Sequence, residues 1–343
     1  GFSFYQSESA PFSSQRCVNW IPVVAESAAL NTRALFQPPG LKQLVDSGFA
    51  GNRGSIVANG VPYFVSGNAL FSVSSAFVVT SHGTIEGSGN VSMAINGINV
   101  DTGSQYVVIV VPGGKSYVFT TATNVLAQIT DIDFRTSDTV VFKNGLFLFS
   151  SSDGAELFVI SEQTIELFQY VGGVGFPYAS IPGANIQKGA HARFSPVEFD
   201  NTFCFAGGGL NEQTAIWKVT GSSSAQKISS DAIDKEIQRF NKAEIEASFS
   251  MTYARHGQFF AIFTFESTRI SSRTFVYNAT ASAYMQGNIW FELQTGVDDN
   301  RFRVQSIVQA YGKLLAGDQS TGIIGELDTD TLDYYGEEIT TFS

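Results

Sequence analysis

The stretch that first invites chemistry is EGSGNVSMAINGINV, Glu86 to Val100, where Gly-Ser-Gly follows an apolar run as a phosphate-cradling loop would. Such loops bind anions because they feed a helix whose free N–H groups and dipole meet the charge. Here the residues after Gly89 alternate, carry β-branched side chains and turn again at Asn96-Gly97, and no Gly-Lys-Ser/Thr closes the loop. The expectation is therefore a turn that starts a strand.

Other candidate groups fare no better. His82, His191 and His256 are far apart without metal-ligand spacing and read as turn or surface residues. Asp131 with Asp133, and Asp298 with Asp299, are paired acids of the kind a glycosidase uses, but they lie in polar stretches that read as solvated loops. SSDGAELF, Ser151 to Phe158, approaches the Asp-containing turn of sialidase blades, yet Gly154 follows Asp153 directly and the pattern occurs once. In ELDTDTLDYYGEE, from Glu326, Leu332 interrupts the run of oxygen ligands that a calcium loop needs. There is no G-x-S-x-G elbow. The sequence thus assigns no catalytic residue, no cofactor and no metal.

The elements that would position these residues are β-strands. Phe, Val, Ile, Tyr and Thr outweigh Leu, Lys and Glu, and 33 Gly in 343 residues supply turns. A hairpin recurs at Asn59–Val73, Gln105–Phe119, Val140–Ile160, Asn201–Val219, His256–Ala279 and Tyr311–Asp328. Its spacing of roughly 35 to 60 residues suits propeller blades with loop insertions. An all-β, six-bladed β-propeller over residues 1–330 is expected, each hairpin forming the inner part of a blade, with 331–343 beginning a further C-terminal segment.

One stretch breaks the pattern. In residues 229–249, Ile233, Ile237 and Phe240 share a helical face, Ser230 or Asp231 can cap its start, and Asn241 with Glu244 forms a capping-box pattern. A short helical insertion follows, with Asp234, Glu236, Arg239 and Lys242 expected on its polar side. These four, and the loop Pro38-Pro39-Gly40, are the candidate assembly contacts.

The net charge of −11, with 20 scattered basic residues, argues against a phosphate-gripping surface. No apolar run approaches the roughly 18 to 20 residues that span a bilayer, and the first residues lack a signal-peptide pattern, so no membrane association is expected. Cys17 and Cys204 are isolated and read as reduced packing residues.

Several segments in order resemble the packaged-DNA stabilisation, or tail hub, family of short-tailed phages of the Salmonella temperate type. They are CVNWIPVVAE, FQPPGLKQL, GSGNVSMA, QTIELFQYVGG, NIQKGAHARFSPVEFDNTFCF, AQKISSDAIDKEIQRFNKAEIEA, IWFELQTGVDDNRFR and LLAGDQSTGIIGELD, which span nearly the whole chain. The resemblance implies a non-enzymatic virion protein, assembled in the host cytoplasm as a homohexameric ring below the portal and its head-completion adaptor. Such a ring carries the tail needle, adjoins the tailspikes and keeps packaged DNA in place without specific binding. It also implies a longer chain with a second β-rich region. A glycan-active or glycan-binding propeller is the alternative reading.

Overall fold

A computed structural model describes residues 16–24, 33–95, 105–111, 115–129, 146–151, 154–170, 178–199, 202–221, 223–296 and 300–339. Within them the chain forms an all-β propeller with three short helices. Four-stranded antiparallel sheets span Asn52–Thr84, Ser92–Ile129, Leu146–Ile186 and Phe249–Glu292, and a five-stranded one spans Gly189–Lys227. The four-stranded ones are unbroken meanders of consecutive strands; in the five-stranded one Gly189–Ala190 and Val197–Phe199 both pair with Thr202–Gly208 along one edge.

The expected sixth meander is not built that way. The sheet begun by Val304–Ala310, Lys313–Asp318 and Ile323–Asp328 is composite: it takes Gly40–Asp46 from the start of the chain as its fourth strand. There are thus five consecutive blades, not six, and one sheet shared between the two ends of the described chain. A sheet edge exposes unpaired N–H and C=O groups, and recruiting the early strand satisfies them.

The hairpins read from the sequence are present in the five blades and in the composite sheet, one in each. In five of them the hairpin forms the second and third strands rather than the inner part. The innermost strand comes just before: Asn52–Ala58, Ser92–Ile95, Val197–Phe199, Phe249–Arg255 and Val304–Ala310 all contribute to the lining of a central cavity or lie next to one another around it. Three blades pass from first to second strand through the same two-residue turn, Asn59-Gly60, His256-Gly257 and Tyr311-Gly312, with positive φ at both positions. This is the turn whose twist matches a hairpin, and it accounts for His256 as a turn residue.

Alternation along the strands sends large apolar side chains into the gaps between blades. Phe64, Phe71, Leu315 and Ile324 fill the gap between the composite sheet and the first blade, and Val65, Val107, Ile109 and Phe119 the gap between first and second. Ile160, Leu167, Phe203 and Phe205 join third to fourth, and Phe199, Phe263, Tyr277 and Trp290 join fourth to fifth. Ile262, Phe291, Val304 and Leu327 join fifth to sixth.

Closure rests on two close fits. Gly40 approaches the backbone of the returning chain so nearly that a Cβ there would come 2.5 Å from the Asp333 carbonyl oxygen and nearer still to that of Thr331. Beyond it, Tyr334 pairs parallel with Leu41, is fully buried, and belongs to the core that holds Leu41 and Leu327. Residues 333–338, past the expected boundary at 330, therefore lie in the composite sheet. The second fit is ionic: Arg303 donates from Nε to the buried Asp318 carboxylate at 2.6 Å and reaches Glu337 at 3.2 Å. Burial alone would raise the Asp318 pKa, but the Ser320 amide, the Arg303 guanidinium and the Thr321 amide together hold it below the ordinary aspartate value.

Gly40→Ala should destabilise the protein by about 2–3 kcal/mol, since backbone on both sides cannot yield; a urea midpoint equal to that of the unmodified protein would contradict the fit. A depressed carboxylate pKa contributes stability above its unfolded value, about 3.9 for aspartate, and loses it as pH falls through the folded value. Acid unfolding followed by tryptophan fluorescence should therefore steepen below about pH 4, and Asp318→Asn should flatten that limb.

Candidate functional site

The helical insertion forms as read: helices Asp231–Ile237 and Lys242–Ala247 lead into the inner strand of the fifth blade. The Ser230 side chain caps the first by accepting from the Ile233 amide. At the second, Asn241 Oδ1 accepts from the Glu244 amide at 3.0 Å while Glu244 Oε2 accepts from the Asn241 amide at 2.7 Å. Ile233, Ile237 and Phe240 are buried, with Phe240 against Phe265 at 5.6 Å between ring centroids.

The four polar candidates on this insertion divide. Asp234 is buried, contrary to expectation, and accepts from Ser229 Oγ at 2.5 Å and Lys227 Nζ at 2.7 Å. One residue is 100° of helical turn, so the position after Ile233 lies on the shoulder that meets the preceding strand rather than on the outer face. Glu236 pairs with Arg239 at 2.7 Å. Lys242 is exposed and bridges to Glu162 of the third blade at 3.0 Å, a bond that raises its pKa. Arg193 of the fourth blade pairs with Glu246 at 2.7 Å, and Arg269 of the fifth with Glu244 at 3.2 Å. The insertion is thus stapled to three blades, and its exposed charged residues are Asp231, Lys235, Arg239 and Lys242.

Pro38, Pro39 and Gly40 are buried and lie elsewhere. The register Asp328↔Gly40 sets them at the end of the composite sheet opposite the one where its inner strand begins. They lead into the closing strand and offer no contact surface of their own.

A second polar centre ties the start of the described chain to the fifth blade. Arg16 makes a bidentate pair with the buried Glu292 carboxylate, Nε to Oε1 and Nη2 to Oε2, both at 2.9 Å. Arg273 reaches Glu292 at 3.2 Å from the other side and Glu236 at 3.9 Å, which links this pair to the insertion. Asn19, at φ 54°, exchanges side-chain bonds with the backbone of Gln294. Cys17 beside it is half-buried and free, its thiol pushed up to about 11 by burial and then by Glu292. Cys204 is free and fully buried, and burial raises its thiol too.

The Gly-Ser-Gly loop has the opposite polarity to a phosphate cradle. Its Gly89 carbonyl accepts from Arg53 Nε at 2.7 Å, and the carbonyls of Gly67 and Ile85 accept from Nη1 at 2.8 and 3.3 Å. The strand Ser92–Ile95 follows directly; Asn96 and Gly97 lie outside the described residues.

The remaining candidates do not converge. His82 Nε2 meets Ser72 Oγ at 2.8 Å in the first blade, and His191 Nδ1 meets Thr214 Oγ1 at 2.8 Å in the fourth; burial lowers both pKa values. Among the described residues no cluster of His, Cys, Asp and Glu could hold a metal. Asp328 and Asp333 are turned into their own backbone, accepting from the Asp330 and Gly336 amides at 3.3 and 2.7 Å. Asp131, Asp133, Asp153, Asp298 and Asp299 lie outside the described residues.

The central cavity measures about 470 Å³, and its charged lining among the described residues is Arg53, Arg193 and Glu198. Glycoside hydrolysis uses a pair of carboxylates, and among the described residues this lining holds one. The volume is that of roughly 15 waters at about 30 Å³ each.

The sequence reading also missed the helix Ala279–Met285, whose signal was Asn278 ahead of an alanine-rich run; the Asn278 side chain accepts from the Ala281 amide.

Against known proteins, the family model described as Bacteriophage P22 Gp10, beta-propeller, matches residues 2–162 and 151–332. The tail hub protein gp10 of Salmonella phage P22 is 22% identical over 178 residues, covering 51% of this chain and 36% of that protein. The alignment therefore spans about a third of the relative's length. Among solved structures, a triple mutant of AofleA from Arthrobotrys oligospora superposes with a TM-score of 0.44 at 9% identity, over 89% of this chain and 90% of that one. An exo-β-1,3-galactanase from Clostridium thermocellum gives 0.36 at 11% identity, over 84% and 61%.

Removing the shared charge of the Arg16–Glu292–Arg273 group should free the start of the chain. Glu292→Gln is expected to cost about 2–3 kcal/mol, below the roughly 3–5 of a fully buried pair because Arg16 is partly exposed. Trypsin cleavage after Arg16 should accelerate at least tenfold; an unchanged rate would show that this group does not hold the segment.

Proposed function

The chain belongs to the Bacteriophage P22 Gp10 β-propeller family, and from that premise we propose that it is a non-enzymatic structural part of a short-tailed phage virion, a tail hub. The observation that carries this reading is the family match running in two overlapping segments from residue 2 to 332. It is joined by a propeller whose candidate catalytic groups, where described, do not converge: His82 and His191 hydrogen-bond to hydroxyls, His256 sits in a turn, and Asp328 and Asp333 accept from nearby backbone amides.

In this reading the five blades and the composite sheet close one ring per subunit, and six subunits form the hub. The hub lies below the portal and its head-completion adaptor, carries the tail needle, adjoins the tailspikes and retains packaged DNA. A propeller suits a wall that bears load, because its edges are paired and its blades interlock. In this reading the path for DNA runs between subunits and not along a propeller axis. A net charge of −11 favours a surface along which DNA passes without adhering.

Arg239 and Lys242, two of the exposed charged residues of the insertion, are proposed to face a neighbouring subunit or the adaptor. Electron microscopy of the protein mixed with a portal–adaptor complex should show a ring of six copies on the complex. A protein that stays monomeric at high concentration and leaves the complex bare would overturn the proposal. The double variant Arg239→Glu, Lys242→Glu should weaken this assembly by at least tenfold while leaving Tm within about 2 °C, as expected for exposed charges.

A further inference from the structure

The ion pairs that tie the insertion to the blades leave the amide side chains around it free. A second cavity, of about 400 Å³, opens between the third-blade turn that holds Glu162, the fourth-blade loop after Gly208, and the insertion from the end of its first helix onward. Gln163 of the turn, Asn211 and Gln213 of the loop and Gln238 of the insertion line it and are exposed. Among the described residues, none of these four side-chain amides makes a hydrogen bond. His191 stands among them: Nδ1 is engaged by Thr214 Oγ1, Nε2 has no partner, and burial lowers the pKa, so the ring is neutral at pH 7. A Cβ on Gly208 would come 3.2 Å from the His191 ring and 3.1 Å from the Gln213 carbonyl oxygen, so glycine keeps the space beside the ring open.

The charges around this cavity cancel in pairs, Lys242 with Glu162, Arg193 with Glu246 and Lys188 with Glu212. An ionic ligand would have to break one of these pairs. Free amides and a neutral imidazole instead offer donors and acceptors side by side, which suits hydroxyls, since each hydroxyl both donates and accepts. Phe240 and Ile245 add an apolar strip on the insertion side, the surface that the C–H face of a sugar ring needs. The volume falls within the range of about 300–1,000 Å³ found for small-ligand sites. We propose that this cavity binds a neutral saccharide unit, of the hexose or N-acetylhexosamine kind. The amides of Gln163, Asn211, Gln213 and Gln238 and the Nε2 of His191 bond its hydroxyls, and Phe240 with Ile245 meets its apolar face. All of these residues belong to one chain, so the site does not depend on assembly of a hub.

The full chain is applied to an array of neutral, sialylated and sulfated saccharides, and the strongest neutral one is then titrated in solution while Trp217 emission is followed. Trp217 reports on the site because Lys188 Nζ lies 4.5 Å over its ring and pairs with Glu212. A neutral saccharide should be retained and should shift the emission saturably. The double variant Gln163→Ala, Gln213→Ala removes two exposed amides that bond nothing else, so Tm should stay within about 2 °C while affinity falls at least about fivefold. Retention of sialylated or sulfated saccharides alone, no retention at all, or an affinity that the double variant leaves unchanged would overturn the proposal.

Discussion

The structure depends on one pairing: strand Gly40–Asp46 against strand Ile323–Asp328, which joins residues nearly three hundred positions apart. Without it the composite sheet is a three-stranded stub with an open edge, and the apolar cluster of Leu41, Leu327 and Tyr334 is exposed. Everything near this junction serves it. Gly40 has no room for a side chain, Tyr334 covers Leu41, and Arg303 ties Asp318 to Glu337. Because closing so long a loop carries an entropy cost that local strands do not, the closing sheet is where stability and acid sensitivity concentrate.

A second theme is how the propeller handles charge. Glu292 is buried but receives two guanidiniums, so its desolvation is compensated by good geometry. The insertion spends most of its charges on neighbouring blades, through Lys242 to Glu162, Arg193 to Glu246 and Arg269 to Glu244. These ties give a rigid face rather than a flexible arm. Arg53 differs from the rest because only backbone carbonyls meet it.

Much of this was legible in the sequence, for physical reasons that apply to particular elements. Strand alternation has period two and hairpin turns need specific residues, so all six hairpins could be read locally. The two capped helices were equally plain, since Ser230, Asn241 and Glu244 act within three residues of the groups they cap. What could not be read is non-local. Nothing near Gly40 announces Thr331, nothing near Arg16 announces Glu292, and an Asp on a helix shoulder looks the same whether it meets solvent or Ser229. The composite sheet was missed for this reason, and with it the burial of Pro38, Pro39 and Gly40.

The proposed role of this propeller is that of a structural hub that seals a phage head after packaging. It is tested most directly by blocking production of the protein in the phage that encodes it and measuring DNA in the purified heads. The account predicts heads that package DNA, fail to retain it and lack tails that assemble beyond the portal and adaptor. Stable, DNA-filled particles with complete tails would contradict it.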